Sequence, residues 1–263
     1  MSKNAKSKSP NRDMQERQVI LVVPCYNEEV RWRSDYWKTI CKIENLRIYF
    51  VNDGSSDKTS RQISTLTSDS PHKLLELPVN VGKAEAVRFG LIEALREKPK
   101  GVGYLDADGA FPHEDVFDQI SLFHKLSNLH SQAPAIWSSR VYLSGRNIDR
   151  NLTRHYFSRV LITLLSIRLK FKVYDTQCGL KIFPYSRDFE NCLTSRFLTR
   201  WFIDIELLLR WRALTDQEMQ IWEEPLSGWK DVAQSNLSGM EYFTVIRDVI
   251  KLNRYRNYKS PSL

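Results

Sequence analysis

Runs of apolar residues alternate with amphipathic stretches through the first half of the chain. Four short runs are largely apolar, which is typical of strands buried inside a parallel sheet. These runs are residues 19–23, 47–51, 74–77 and 101–105. The stretches that follow are long enough for helices, which we expect to end towards Leu46, near Glu97 and near Leu126. Strands that alternate with helices predict an α/β fold with a doubly wound, mostly parallel sheet and right-handed crossovers.

Polar residues follow each predicted strand at its carboxyl end. In doubly wound sheets, ligands bind in the crevice outside these ends, so we expect the polar clusters to converge on one site. The converging residues are Tyr26, Asn27, Glu28, Asp53, Gly82, Lys83, Asp106 and Asp108. Taken singly, Asp53 is also explained as a helix-capping turn residue and Lys83 as a solvated helix lysine. Four clusters that share one edge are hard to explain as four independent turns.

The fourth strand delivers two carboxylates spaced one residue apart, followed by Gly109, where the chain turns. In an extended segment Asp106 and Asp108 point the same way. Their charges repel unless a cation lies between them, and hard oxygen ligands suit Mg²⁺ or Mn²⁺. A solvated Asx-turn that closes a hairpin is the alternative interpretation. The setting favours a metal site at Asp106 and Asp108, with Mg²⁺ or Mn²⁺ as the cofactor.

The chain of 263 residues is basic, with 39 Lys and Arg against 31 Asp and Glu, a net charge of +8. Such an excess favours anionic partners such as nucleotides, lipid phosphates and anionic membranes. No recognised nucleic-acid motif accompanies the charge, so we expect no nucleic-acid partner. The four cysteines lack the paired spacing of a metal site, which indicates a reduced, cytoplasmic chain.

Membrane contact depends on two further features of the sequence. No apolar run approaches 18 residues, so we expect no transmembrane segment. Residues 156–173 are strongly apolar but carry Arg159, Arg168, Lys170 and Lys172. They are explained equally by a core helix with a basic solvent face and by an interfacial helix on an anionic membrane. If the second interpretation holds, the protein associates peripherally with the cytoplasmic face of a membrane.

Four motifs, in this order, resemble those of the inverting family 2 glycosyltransferases with the GT-A fold. They are residues 23–29 (VPCYNEE), 51–59 (VNDGSSDKT), 80–84 (NVGKA) and 106–109 (DADG). The resemblance implies a nucleotide-sugar site that contains Pro24, Tyr26, Asn27, Glu28, Asp53, Gly82, Lys83 and Asp106. It also implies a metal held on the diphosphate by Asp106 and Asp108. No GxGxxG or P-loop is present, which disfavours a Rossmann dehydrogenase and a P-loop protein.

Later motifs resemble the polyprenyl-phosphate branch of that family, and most of all its dolichyl-phosphate β-glucosyltransferases. They are residues 175–183 (DTQCGLKIF), 200–208 (RWFIDIELL), Glu224-Pro225 and Trp229. The resemblance covers almost all residues between 19 and 235. Two departures are Ser138-Ser139-Arg140 in place of Gly-Ser-Arg and Gln234-Ser235-Asn236 in place of Gly-Ser-Lys. The second departure removes a cation that could contact phosphate.

The resemblance implies inverting, metal-dependent transfer of a hexose to a dolichyl-type polyprenyl phosphate. We expect glucose from UDP-glucose, with GDP-mannose as the other donor to consider. A phosphate monoester is largely dianionic at neutral pH, so the acceptor needs no strong general base. Arginine forks at Arg140, with Arg150 or Arg154, are expected to hold the acceptor phosphate, and Arg140 is counted among the catalytic residues.

Two other functions remain open on the sequence alone. A sugar hydroxyl acceptor, in polysaccharide or lipid-linked oligosaccharide synthesis, needs a carboxylate base, for which Asp204 and Glu206 are the catalytic candidates. A non-catalytic nucleotide-sugar or membrane-surface binding module is the second alternative, but it has no use for the pair Asp106 and Asp108.

We expect three regions along the chain. Residues 1–17 form a disordered basic tail, and residues 239–263 form a C-terminal helix and basic tail. Between them, residues 18–238 form one GT-A domain, with a nucleotide-binding half over 18–110 and an acceptor half over 111–238. The membrane helices of related enzymes have no counterpart in the sequence, so we expect the lipid to be reached from the membrane surface.

Overall fold

The computed structural model describes residues 18–149, 172–230, 247–248 and 250–252. The strands are β1 (Val19–Cys25), β2 (Leu46–Asp53), β3 (Lys73–Leu77), β4 (Gly101–Leu105), β5 (Ala135–Ser139), β6 (Asn147–Asp149), β7 (Leu180–Pro184), β8 (Ile221–Pro225) and β9 (Gly228–Lys230). The helices are α1 (Ser34–Ile40), α2 (Thr59–Thr67), α3 (Lys83–Leu95), α4 (His113–Leu129), α5 (Arg187–Cys192) and α6 (Ile203–Thr215). Residues 247–248 and 250–252 are also helical.

Seven of these strands form one sheet in the order β3-β2-β1-β4-β7-β5-β8. Strand β1 pairs in parallel with β2 and β4, and β2 pairs in parallel with β3. Strand β7 is antiparallel to both β4 and β5, whereas β5 and β8 are parallel. Strands β6 and β9 form a separate parallel pair. The predicted α/β class with a mostly parallel sheet is confirmed, and the antiparallel β7 is an exception that the sequence pattern did not predict.

The direction of β7 brings a second segment of chain to the crevice. Leu180 at the start of β7 pairs with Leu105 at the end of β4. An antiparallel strand begins at the edge where its neighbour ends. The turn before β7 therefore lies beside the carboxylate that follows β4, and the backbone N–H of Asp106 donates to the carbonyl of Gly179 at 2.9 Å.

Helices cover both faces of the sheet, which explains why the strands β1 and β2 are buried along almost their whole length. On one face Trp37 of α1 packs edge-to-face on Phe50 of β2, with ring centroids 5.1 Å apart. On the other face α3 lies directly on β1, because a Cβ at Gly90 would be 2.5 Å from a methyl group of Val22. The two faces together form the core that supports the site.

Two predicted helices have different bounds in the structure. The helix expected to reach Leu46 covers only Ser34–Ile40. It begins late because the residues before it form a loop bonded to the β2–α2 turn, and the residues after it form the turns that lead into β2. Asn45, just before β2, has a φ of 59°, a left-handed conformation that asparagine tolerates. The helix expected near Leu126 extends from His113 to Leu129.

Several predictions fall outside the described residues. These are the tail over 1–17, Arg150 and Arg154, most of the apolar basic stretch 156–173, and most of the segment 239–263. The domain boundaries therefore stay predictions. In the described ranges, no helix is long and apolar enough to cross a membrane.

Candidate active site

The loops that follow β1 and β2 are joined by hydrogen bonds into one surface. The backbone N–H of Glu28 donates to Thr59 Oγ1 at 2.7 Å, and that of Asn27 donates to Ser55 Oγ at 3.0 Å. In return the backbone N–H of Ser56 donates to Asn27 Oδ1 at 3.0 Å. The predicted residues Asn27 and Glu28 are therefore held in place by the second predicted motif.

Pro24 and Tyr26 lie in the first of these loops. Pro24 is half-buried at the end of β1, while the Tyr26 side chain is 46% exposed beside the crevice. An exposed aromatic ring next to polar groups is suited to stacking on a nucleotide base. The nucleotide-binding role of Pro24 and Tyr26 stays a prediction.

Asp53, at the end of β2, clamps the turn that precedes α3. Its Oδ1 accepts from the backbone N–H of Val81 at 2.7 Å, and its Oδ2 accepts from that of Gly82 at 2.9 Å. The side-chain amide of Asn80 also donates to Oδ2 at 3.0 Å. Burial raises the pKa of Asp53, and these hydrogen bonds oppose that shift. Asp53 therefore shapes the nucleotide side of the crevice through the backbone it holds.

Asp106 lies directly after β4 and meets Lys83 at the start of α3, with Nζ 2.6 Å from Oδ1. Behind Asp106 lies Gly179, where a Cβ would be 2.1 Å from Asp106 Oδ2. Glycine is required at this position because any side chain would displace the carboxylate. Burial lowers the pKa of Lys83, but the charge of Asp106, followed by those of Asp204 and Asp108, outweighs it and raises the pKa.

Asp108 carries charge that the protein compensates only in part. Its Oδ1 accepts from the backbone N–H of Ala110 at 3.0 Å. This hydrogen bond is the one expected for an Asx-turn, which was the alternative interpretation of the sequence. Burial, and then the charge of Asp106, raises the pKa of Asp108. Burial also raises the pKa of Glu28; Arg31, 2.5 Å away, opposes this shift, and the charge of Asp108 adds to it.

The donor set at this position fits a divalent cation. Asp106 lies close enough to Asp108 to disfavour the charge of Asp108, and Glu28 Oε2 is buried without a hydrogen-bond partner in the described part of the chain. A cation at Asp106 and Asp108 would relieve that repulsion. No group of three His, Cys, Asp or Glu side chains in the described ranges could hold a metal, so the other ligands would come from water and substrate.

Arg140, directly after β5, is bound to Asp175 in the turn before β7. Its Nε lies 2.8 Å from Asp175 Oδ2 and its Nη2 lies 2.9 Å from Asp175 Oδ1. The guanidinium also lies over the ring of Trp229, 5.1 Å from its centroid. Burial opposes the charge of Arg140, but Asp175 outweighs burial and raises its pKa. The predicted phosphate fork is closed on Asp175, so a phosphate at Arg140 would share or displace that carboxylate.

Asp204, near the start of α6, lies in a buried ion pair beneath the crevice. Lys181 Nζ is 3.0 Å from Asp204 Oδ1, and the hydroxyl of Tyr104 donates to the same oxygen. Lys181 is fully buried on β7 and also donates to the carbonyls of Thr176 and Cys178. The structure thus brings Asp204 near Lys83 but engages it with Lys181 and Tyr104.

Glu206 points into a different part of the molecule, because residues two apart on a helix project in different directions. It is fully buried, lies 2.8 Å from Arg210 Nη2, and accepts from the backbone N–H groups of Leu198 and Thr199. The oxygens of Glu206 thus bind Arg210 and hold the loop before α6, and its role as a catalytic base stays a prediction.

Four further residues of the site lie within the later motifs, but the sequence alone gave them no role. They are Asp175, Gly179, Lys181 and Arg200. The available signals were a glycine directly before a buried strand and a lysine inside the apolar run of that strand. Arg200 had no local signal, because its contact with Asn80, at 2.6 Å from Nη2 to Oδ1, joins residues far apart in the chain.

Comparison with known proteins places this geometry in a family. Residues 20–184 match the model of Glycosyl transferase family 2. A dolichyl-phosphate beta-glucosyltransferase of Trichomonas vaginalis, ALG5A, is 30% identical over 247 residues, which cover 89% of this chain and 72% of that relative. The dolichyl-phosphate beta-glucosyltransferase of Homo sapiens is 30% identical over 216 residues, which cover 74% of this chain and 63% of that relative.

Solved structures share the fold. Glucosyl-3-phosphoglycerate synthase from Mycobacterium tuberculosis, in complex with Mn²⁺, UDP and glucosyl-3-phosphoglycerate, has a TM-score of 0.63 and 17% identity, covering 94% of this chain and 82% of that chain. The same enzyme with Mn²⁺, UDP-glucose and glycerol 3-phosphate has a TM-score of 0.60 at 17% identity, with the same coverage. The predicted GT-A fold is thereby confirmed. Since the family model matches more than half of its residues, the chain belongs to glycosyl transferase family 2.

Proposed function

We propose that this protein transfers glucose from UDP-glucose to a dolichyl-type polyprenyl phosphate, with inversion at the anomeric carbon. Similarity to dolichyl-phosphate beta-glucosyltransferases over 89% of the chain supports this reaction. The structural observation that carries the proposal is the meeting of Lys83 with Asp106, beside Asp108, at the carboxyl ends of parallel strands. When the sugar is transferred, the nucleoside diphosphate leaves with developing negative charge, which this combination of carboxylates and a cation is suited to stabilise.

Asp106 and Asp108 would hold Mg²⁺ or Mn²⁺, and Lys83 would contact the diphosphate beside them. A bound divalent ion neutralises the negative charge that develops on the leaving nucleotide. Lys83 lies 2.6 Å from Asp106 and is 30% exposed in its side chain, so it can reach a phosphate oxygen without losing its partner. Gly179 keeps Asp106 in position, and Tyr26 offers its ring to the base.

The described carboxylates favour a phosphate acceptor over a sugar hydroxyl. A hydroxyl acceptor needs a free base, but Asp204 is engaged with Lys181 and Tyr104, and Glu206 is engaged with Arg210. A phosphate acceptor is already anionic and needs only positioning and charge compensation. Arg140 is a cation at this side of the crevice, where a phosphate would share or displace Asp175, and Arg150 and Arg154 are its proposed companions.

Peripheral contact with a membrane belongs to the same proposal. Tyr142, Leu143 and Tyr174 are exposed and lie within three residues of Arg140 or Asp175 in the chain. Exposed apolar side chains beside a basic phosphate site are suited to a lipid whose phosphate enters the crevice while its chain stays in the membrane. This placement supports access to the lipid from a membrane surface, which the proposal takes to be the cytoplasmic face.

The test measures transfer of labelled sugar into the organic phase. The full-length protein is incubated with a short polyprenyl phosphate and Mn²⁺ or Mg²⁺, with UDP-glucose and GDP-mannose in parallel reactions. We expect labelled lipid from UDP-glucose alone, and the β-anomer of the product on NMR analysis. Lipid product from GDP-mannose alone would overturn the donor, and UDP binding without any lipid product would overturn the acceptor.

A further inference from the structure

The loop before α6 carries Arg200 to the nucleotide side of the crevice. A Cβ at Gly82 would lie 3.0 Å from Arg200 Cγ and Nε, so the arginine side chain lies directly against that glycine. Arg200 Nη2 donates to Asn80 Oδ1 at 2.6 Å, and the Arg200 carbonyl accepts from the backbone N–H of Ala84 at 3.3 Å. These contacts fix the guanidinium over the same turn that Asp53 clamps from the other side.

The charge of Arg200 is available to a ligand. The residue is exposed, and its side-chain partner is the neutral amide of Asn80, with no carboxylate within ion-pair distance in the described part of the chain. Asp53 lies near enough for Arg200 to lower its pKa against the effect of burial, but its oxygens are bonded to backbone N–H groups. Lys83, by contrast, already shares its charge with Asp106.

Two carboxylates hold the Arg200 loop from different elements. Glu206 of α6 accepts from the backbone N–H groups of Leu198 and Thr199. Asp248, from the helical residues 247–248, is 1% exposed and accepts from the backbone N–H of Arg200 at 2.9 Å. Buried carboxylates bonded to backbone N–H groups hold a loop in one position, because a buried carboxylate or N–H group left without a partner costs free energy of folding.

We propose that Arg200 binds the diphosphate of the donor nucleotide and that Asp248 is the positioning residue that holds it over Gly82. The inference rests on the proposed nucleotide-sugar function. It gives the diphosphate a second cationic side chain besides Lys83. A planar guanidinium is suited to two oxygens of a diphosphate, which a lysine ammonium meets only as a point charge. Both residues lie beyond residues 20–184, the part of the chain that the family model matches.

The first experiment compares UDP with uridine, which lacks the diphosphate. Binding to the full-length protein with Mn²⁺ is measured by calorimetry for UDP and by ligand-observed NMR titration for uridine. We expect Arg200→Gln to raise the Kd for UDP about tenfold or more, because a charge-assisted contact is lost, and to leave uridine binding unchanged. The matched control is Arg196→Gln, an 85% exposed arginine of the same loop, for which both values should stay at wild type.

The outcomes separate this inference from the proposed function. Equal weakening of UDP and uridine, or no change for either, would overturn the diphosphate contact while leaving the nucleotide-sugar function intact. If the wild-type protein bound neither UDP nor GDP, both proposals would fall together.

The second experiment tests the positioning role of Asp248 through the kinetic constants. Asp248→Ala should raise the KM for UDP-glucose about five- to tenfold and keep kcat at saturating donor within about twofold, as expected for lost ground-state binding. Asp248→Asn keeps an oxygen acceptor for the N–H of Arg200 and should recover most of the KM. A fall in kcat at unchanged KM, or an Asn variant no better than Ala at equal thermal stability, would overturn the positioning role.

Discussion

The pair Asp106 and Asp108 and the pair Asp204 and Glu206 have the same spacing, one residue apart, but different backbones. Asp106 and Asp108 follow a strand, and their carboxylates lie close enough for Asp106 to raise the pKa of Asp108. Asp204 and Glu206 lie in the first turn of α6, where residues two apart project roughly 200° from each other. The first pair therefore converges on the crevice and the second pair diverges into the core.

The two pairs also differ in how their charge is compensated. Asp204 and Glu206 each have a buried cation, Lys181 at 3.0 Å and Arg210 at 2.8 Å. In the described part of the chain Asp108 has no cation within ion-pair distance and accepts only a backbone N–H. Charge that is left uncompensated is available to a ligand, whereas charge that is fully paired holds the architecture.

The sharpest way to break this comparison is Asp108→Ala. We expect turnover to fall at least about a thousandfold, because the leaving diphosphate loses its charge compensation. Thermal stability should not fall, since burial and the charge of Asp106 disfavour the ionised Asp108. Sugar transfer and thermal unfolding are measured together, with Asp35→Ala, a change at an exposed carboxylate of α1, as the control. Wild-type activity in the Asp108 variant would remove the metal role assigned to the first pair.

The second pair is tested by stability. Lys181→Met leaves Asp204 buried without its cation and should lower the free energy of unfolding by about 3–5 kcal/mol. Adding Asp204→Asn removes the stranded charge and should recover most of that loss. Denaturant unfolding of both variants measures the difference. A double variant as unstable as the single one would show that the ion pair is not what Lys181 contributes.

A smaller effect is expected at Gly179, which lies behind Asp106 of the first pair. Gly179→Ala places a Cβ 2.1 Å from Asp106 Oδ2 and must move that carboxylate, so turnover should fall about a hundredfold. The thermal stability measured without donor should stay nearly unchanged. The matched control is Gly228→Ala, whose Cβ would meet its nearest neighbour, a Pro112 side-chain atom, at an ordinary 3.4 Å. Equal activity in the two variants would show that Asp106 tolerates displacement.

Much of the donor side could be predicted from the sequence because it depends on local pattern. Each strand of this half carries its polar residues at its own carboxyl end, so the convergence of Asp53, Lys83 and Asp106 follows from a parallel sheet alone. The bonds from Asp53 to the backbone N–H groups of residues 81–82 could not be predicted, since they depend on the turn after β3.

The acceptor side was less accessible to sequence reasoning because its contacts are long-range. The antiparallel entry of β7 decides that Asp175 closes on Arg140 and that Gly179 lies behind Asp106, and no periodicity reports strand direction. The surroundings of Glu206 were inaccessible for a similar reason. A helical position can point to the crevice or to the core, and only the packed structure shows Arg210 and the N–H groups of residues 198–199 around it.

The hydrogen bonds between the β1 and β2 loops have a consequence for engineering. Asn27, Glu28 and Glu29 take their partners from residues 55–59, and Lys58 returns a bond to Glu29. A chimera that takes only one of these loops from a relative would leave hydrogen-bond donors and acceptors of the other loop without partners. Segments grafted to alter donor choice should therefore be continuous and include both loops, together with α1 and β2 between them.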